Sequence, residues 1–195
     1  MRAASETVET QMDSEAELGF WLYLMSDAVL FGLIFATFAV MATNYAGGPS
    51  GSDLFDMTNL ALQTALLLTS SLTIGLAHHA VTEDRLGPTV LWMLVTVALG
   101  AGFLGLELWE LAGFVAEGAG PGRSGYLSAY FTLVGTHGLH VTAGLIWALT
   151  LIAQLLVKGT GSREKSRLLR LSLFWHFLDI VWIGVFSLVY LPEFL

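Results

Sequence analysis

An all-α, polytopic membrane protein built as a five-transmembrane-helix bundle follows from three features of this chain. Its 195 residues are 55% hydrophobic and only 12% charged, with a mean hydropathy of +0.70, outside the range of soluble domains. Five apolar stretches, about 18–43, 58–81, 88–114, 126–157 and 171–192, each reach the roughly 20 helical residues that cross a bilayer. The connectors between them are short and rich in turn formers, so no linker divides the apolar part into two domains.

Residues 1–17 carry Glu6, Glu9, Asp13, Glu15 and Glu17 against Arg2 and have no apolar core of their own. They are expected to form an acidic, disordered cytoplasmic tail ahead of a single membrane domain, 18–195, and not a secretory signal. The first span places Tyr23, Ser26 and Asp27 on one helical face. Gly47-Gly48-Pro49-Ser50-Gly51 turns the chain towards the second span, which ends near His78 and His79. Gly87-Pro88 opens the third, with Gly100, Gly102, Gly105, Glu107 and Glu110. Pro121, among glycines from Gly118 to Gly125, separates it from a fourth span longer than a bilayer requires, so tilt or an interfacial first turn near Tyr126 is expected. The fourth carries Gly135, His137, Gly138, His140 and Gly144, and the fifth carries Ser172, His176, Asp179 and Tyr190 along one stripe. Trp21, Trp109, Tyr126 and Tyr190, near span ends, suit interfacial anchoring.

Charge sets orientation. Arg2, Arg85, Lys158, Arg163, Lys165, Arg167 and Arg170 fall in the tail and in connectors two and four, whereas connectors one and three hold Arg123 alone. The positive-inside rule then puts the N-terminus in the cytoplasm and the C-terminus outside. Much of the negative charge behind the net −8 sits in the tail, in Asp53 and Asp56, and in acids inside the spans, and no basic face for nucleic acid exists. The lack of cysteine excludes disulfides, thiolate metal sites and iron–sulfur ligation.

All five histidines and four acids (Asp27, Glu107, Glu110 and Asp179) lie in apolar runs without lysine or arginine. Such groups are costly in hydrocarbon, so they are expected to face the interior and to pair with one another. Glu107 with Glu110, His137 with His140, and His176 with Asp179 recur at a spacing of three, which puts each pair on one helical face. At about 1.5 Å per residue, depth permits Asp27–His140 and Glu107–His137 pairs. The histidines lack the converging ligand set of a metal or haem site, and structural hydrogen bonding is their better reading. Gly100, Gly102, Gly105, Gly135, Gly138 and Gly144 are expected to let the third and fourth helices approach closely.

The segments FWLYLMSDAVLF (20–31), SSLTIGLAHHA (70–80), GFLGLELWEL (102–111), SGYLSAYFTLVGTHGLHVTAGLIW (124–147) and LSLFWHFLDIVWIGVFSLVYL (171–191) resemble, in order, subunit III of the haem–copper terminal oxidases, most closely in the bacterial cytochrome o quinol oxidase branch. Asp27 matches a carboxylate of that family, His78 and His79 its A-H-H motif, Glu107 and Glu110 its acidic pair, and Gly138 to His140 part of its H-G-x-H motif. Trp175, His176, Asp179 and Trp182 match W-H-F-x-D-x-x-W. The resemblance implies a non-catalytic accessory subunit of a proton-pumping quinol oxidase in the inner membrane of a bacterium, which stabilises the catalytic subunit, binds phospholipid and sustains proton uptake. It implies no cofactor on this chain, haem and copper in the partner subunit I, and subunits II and IV beside it. The family's cytochrome c oxidases usually have two more helices at the start, and their lack of room here favours the quinol branch. Two alternatives are a similar subunit associated with nitric oxide reductase and a stand-alone proton-coupled carrier. No internal repeat supports the carrier, and a haem b electron carrier would need opposed axial histidines.

Overall fold

The computed structural model describes residues 2–194, with side chains from residue 15 onward. The tail expected over 1–17 therefore falls mostly outside the residues described with side chains. Among the described residues five helices are long and apolar enough to cross a membrane, and there is no strand. The first, α1, is Arg2–Met41, of which Glu15–Met41 is the candidate span. A single turn, α2 (Gly51–Leu54), follows in the first connector. Then come α3 (Met57–Thr82), α4 (Leu86–Ala116), α5 (Gly125–Lys158) and α6 (Ser162–Val185). The last runs on into a π-helical turn, Phe186–Tyr190, and a 3₁₀ turn, Leu191–Phe194.

Local chemistry explains most boundaries. Asp56 caps α3 by accepting from the Thr58 N–H at 2.9 Å, and Ser124 caps α5 by accepting from Leu127 at 3.1 Å. Gly159, at φ +77°, ends α5 in a backbone conformation that favours glycine. Pro88 falls inside the first turn of α4, where a missing N–H costs nothing, so that helix begins at Leu86. The largest departure from the sequence reading is α6, which starts at Ser162 and not near 171. The basic stretch is thus helical, because Leu168 and Leu171 recur on the buried face and Arg167 donates to Gln154 of α5 at 2.6 Å.

The helices α3, α4, α5 and α6 close a four-helix bundle, since α3 packs on α4, α4 on α5, α5 on α6 and α6 back on α3. The remaining helix, α1, lies outside against α5 and α6. It buries 22% of its span window, against 50% for the last span. Between α4, α5 and α6 the small residues admit an indole: a methyl on Gly100 would lie 2.8 Å from Trp175 and one on Gly144 would lie 3.0 Å from it. Trp175 donates to the Ser70 hydroxyl at 2.9 Å, which ties α6 to α3.

The two ends are closed differently. At one, Lys165 of α6 meets Asp84 of the α3–α4 connector at 2.7 Å. At the other, Arg123 donates to the Gly47 carbonyl at 3.0 Å, and the Ser52 N–H donates to Glu193 at 3.1 Å. Tyr126 and Tyr190 sit beneath that end at 1% exposure each, so they belong to the core and do not anchor an interface, whereas Trp21 and Trp109 are exposed. Phe55 packs on Tyr190 with ring centroids 4.5 Å apart, which brings the end of the first connector over them.

Candidate functional site

The buried polar groups gather in two places. The inner one lies between α3, α4, α5 and the π-helical turn. Glu107 is 2% exposed, and neither carboxyl oxygen has a hydrogen-bond partner. A methyl on Gly138 would stand 2.9 Å from Glu107 Oε1, so the carboxyl lies directly on the α5 backbone. One turn further, Glu110 Oε2 accepts from Asn59 Nδ2 at 2.9 Å and from Gln63 Nε2 at 2.6 Å. Gln63 is fully buried and its Oε1 has no partner. A cleft of about 500 Å³ beside Glu110 is lined by Asp56, Asn59, Trp109 and Glu117 among others.

His137 is fully buried. Its ring leans on Trp182 at 5.4 Å and meets Phe103 edge-on at 5.6 Å. Neither nitrogen makes a hydrogen bond of good geometry, although the Leu178 backbone lies close enough to interact. The Glu107–His137 pair that depth permitted is therefore not joined by a direct bond. Around these groups Trp182 donates to Thr64 at 3.1 Å, and the hydroxyls of Tyr130 and Tyr190 are 2.8 Å apart.

The outer place is the seam between α1 and α5. His140 Nε2 lies 3.7 Å from Asp27 Oδ2, with 14% and 12% of the two side chains exposed. His140 Nδ1 is 2.8 Å from the Thr136 carbonyl. A carbonyl only accepts, so Nδ1 carries a proton. Nε2 faces Asp27, but at 3.7 Å the two are neighbours without a hydrogen bond, and Asp27 Oδ2 has no hydrogen-bond partner.

The remaining histidines are separate. His176 Nδ1 lies 2.6 Å from the Ser71 hydroxyl and 3.9 Å from Asp179 Oδ2. His78 is partly buried with Nδ1 unpartnered. His79 does not face the interior as expected: its side chain is 71% exposed and lies 3.5 Å from Glu83, because it occupies the outward face of the last turn of α3. The glycines divide as well. Gly100, Gly138 and Gly144 stand against bulky or polar side chains, Gly102 has only Leu66 at 3.7 Å, and Gly105 and Gly135 have nothing within 4 Å. Gly105 and Gly135 do not hold helices together, since they sit on faces turned away from the neighbouring helix, whereas Gly102 makes an ordinary contact with α3.

Sequence reasoning missed the amide and hydroxyl partners, most of them on α3. Asn59, Gln63, Ser70 and Thr73 recur at helical spacing there, and a polar count along that stripe would have found them. Among the described residues no three His, Asp or Glu converge as a metal site would require. In the first connector, outside the spans, Ser50 holds Asp53 below the usual carboxylate range through its hydroxyl and N–H.

Comparison with known proteins places this architecture. The family described as cytochrome c oxidase subunit III matches residues 5–193. The chain is 53% identical, over 89% of its length and 83% of the relative, to "Cytochrome bo(3) ubiquinol oxidase subunit 3" of Pseudomonas aeruginosa. It is 44% identical, over 89% and 84%, to "Quinol oxidase subunit 3" of Bacillus spizizenii. A "Cytochrome c oxidase subunit 3" of Bacillus sp. is 43% identical over 97% of this chain and 91% of its own length. Short length therefore does not separate relatives named for quinol from those named for cytochrome c; identity alone leans to quinol.

Proposed function

The chain belongs to the cytochrome c oxidase subunit III family, and we propose from that premise that it is a non-catalytic subunit of a haem–copper quinol oxidase that reduces O₂ to water. What carries this reading is the 53% likeness to a ubiquinol oxidase subunit along nearly the whole chain. The polar groups of the interior bear on each other and on aromatic rings, not on a common metal position. Haem and copper belong to the partner subunit I, with subunits II and IV completing the complex. The chain stabilises that assembly, binds phospholipid and supports proton uptake. Lipid is favoured by the apolar face of α1 and by a groove of about 330 Å³ between α1 and α6, lined by Trp21, Leu24, Met25, Leu173 and Phe177. The chain lies in the cytoplasmic membrane of a bacterium, with its N-terminus inside, as the basic residues around the Lys165–Asp84 pair favour.

Purification of tagged chain in mild detergent tests the reading. It should bring down a partner with haem and copper that oxidises quinol. Recovery of the chain alone, or of a complex that oxidises only cytochrome c or reduces nitric oxide, would overturn it. Reporter fusions test orientation: one active only in the cytoplasm should work at the N-terminus and fail after Leu195, and the reverse would overturn the topology.

A further inference from the structure

We propose that Glu107 and Glu110 form a dicarboxylate site that holds one exchangeable proton, carried on Glu107 and reached through the cleft beside Glu110. The inference goes beyond the subunit's assignment and does not depend on it.

The two carboxyls stand one turn apart on α4, and the neighbouring elements supply two amide N–H donors, from Asn59 and Gln63. Both go to Glu110, none to Glu107, and Gln63 Oε1 adds a further acceptor without a donor. A carboxylate bonded by two N–H groups is stabilised as an anion, whereas one at 2% exposure without any donor is not. The site thus lacks a positive hydrogen, and a proton on Glu107 supplies it. A metal cation would need a third carboxylate or imidazole, and none converges among the described residues.

The other titratable groups around the pair are Tyr130 and His137 from α5, Tyr190 from the π-helical turn, and Asp56 at the start of α3. The hydroxyls of Tyr130 and Tyr190 are engaged with each other, and His137 is clasped by Phe103 and Trp182. Among the described residues no lysine or arginine is bonded to either carboxyl. Access comes from Glu110, which lines the cleft together with Asp56 and Glu117. Uptake turns the Glu107 carboxylate and a hydronium of the cleft into a carboxylic acid and water, with no electron moved. Gly138 matters because it leaves the Glu107 carboxyl room against the α5 backbone.

Infrared spectroscopy of the full chain, in whatever complex it purifies with, tests the proposal in H₂O and D₂O across pH. A carboxylic C=O band should be present near neutral pH, shift in D₂O and disappear on alkalinisation. It should be lost in Glu107→Gln and survive in Asp27→Asn. Glu110→Gln removes the neighbouring negative charge and should make the Glu107 band disappear at lower pH than in the parent chain, an arm that remains readable if Glu107→Gln does not assemble. Absence of any band dependent on Glu107, or a band indifferent to D₂O, would overturn the proposal. So would a band abolished by sodium or potassium at constant pH, which would mark a cation site.

Discussion

His137 and His140 stand three residues apart on α5 and both touch aromatic rings, yet only His140 faces an acid. His137 points into the closed four-helix bundle, where Phe103 and Trp182 clasp its ring and no hydrogen bond of good geometry forms. His140 points into the seam where α1 leans on the bundle, 5.1 Å from the Phe31 ring, and it donates to the Thr136 carbonyl and faces Asp27. The inner site is fixed by shape alone, whereas the outer one adds a backbone hydrogen bond and a facing carboxyl. The difference teaches that spacing along a helix settles which face a residue takes, whereas the neighbour on that face settles what the residue does.

The largest effect should come from removing shape at the inner site. Trp182→Ala should cost about 3–5 kcal/mol, read as loss of thermal stability of the purified membrane protein. His137→Phe keeps the ring contacts and should stay within about 1.5 kcal/mol. Equal damage from both would show that a His137 nitrogen, and not its ring, holds the site.

Next in size is a contrast between two glycines. Gly138→Ala drives a methyl against Glu107 and should cost about 1–3 kcal/mol. Gly135→Ala, one turn earlier with nothing within 4 Å, should be neutral or stabilise by about 0.5–1 kcal/mol. Similar losses in both would mean that α5 packs with its other face.

At the seam, Asp27→Asn should loosen α1 by about 0.5–1.5 kcal/mol. The chain has no cysteine, so disulfide trapping between engineered cysteines on α1 and α5 would read the loosening directly. Sustained activity should decay faster while initial turnover is kept. If Asp27→Ala left trapping and sustained activity unchanged, the seam would not depend on the carboxyl that faces His140.

Smallest is the exposed pair outside the spans. The ammonium of Lys165, which bonds the Asp84 carboxylate, holds that carboxyl below the usual range. The stabilisation it gives is present above the ordinary aspartate value and is lost as pH falls through the lowered one. Lys165→Gln should raise the titration of Asp84 towards the ordinary range by NMR, and salt should produce a change in the same direction in the parent chain. Salt should leave the seam unaffected, because Asp27 and His140 are largely shielded from it.

Much of the fold was legible. Helix count, fold class and the membrane setting follow from hydropathy over lengths that a bilayer dictates, and the motif order identified the family. Less of the site could be read. Asp27 and His140 matched in depth and do lie side by side, yet Glu107 and His137 matched equally well and are not bonded. Depth fixes one coordinate only, and the rotation of each helix about its axis fixes the other.

By itself, then, the sequence determined what the bilayer and the single helix impose. These are five spans, the faces shared at spacings of three, the basic residues gathered on one side, and a family signature carried by five segments. Only the tertiary structure decided which faces meet. It placed Tyr126 and Tyr190 in the core, turned His79 outward, set Gly138 against Glu107 and left Gly135 open, and gave Glu110 its amide partners from α3. The physical reason is that hydropathy distinguishes lipid from water but not lipid from a neighbouring helix, since both are apolar. Which face is buried is settled by packing and by hydrogen bonds between helices.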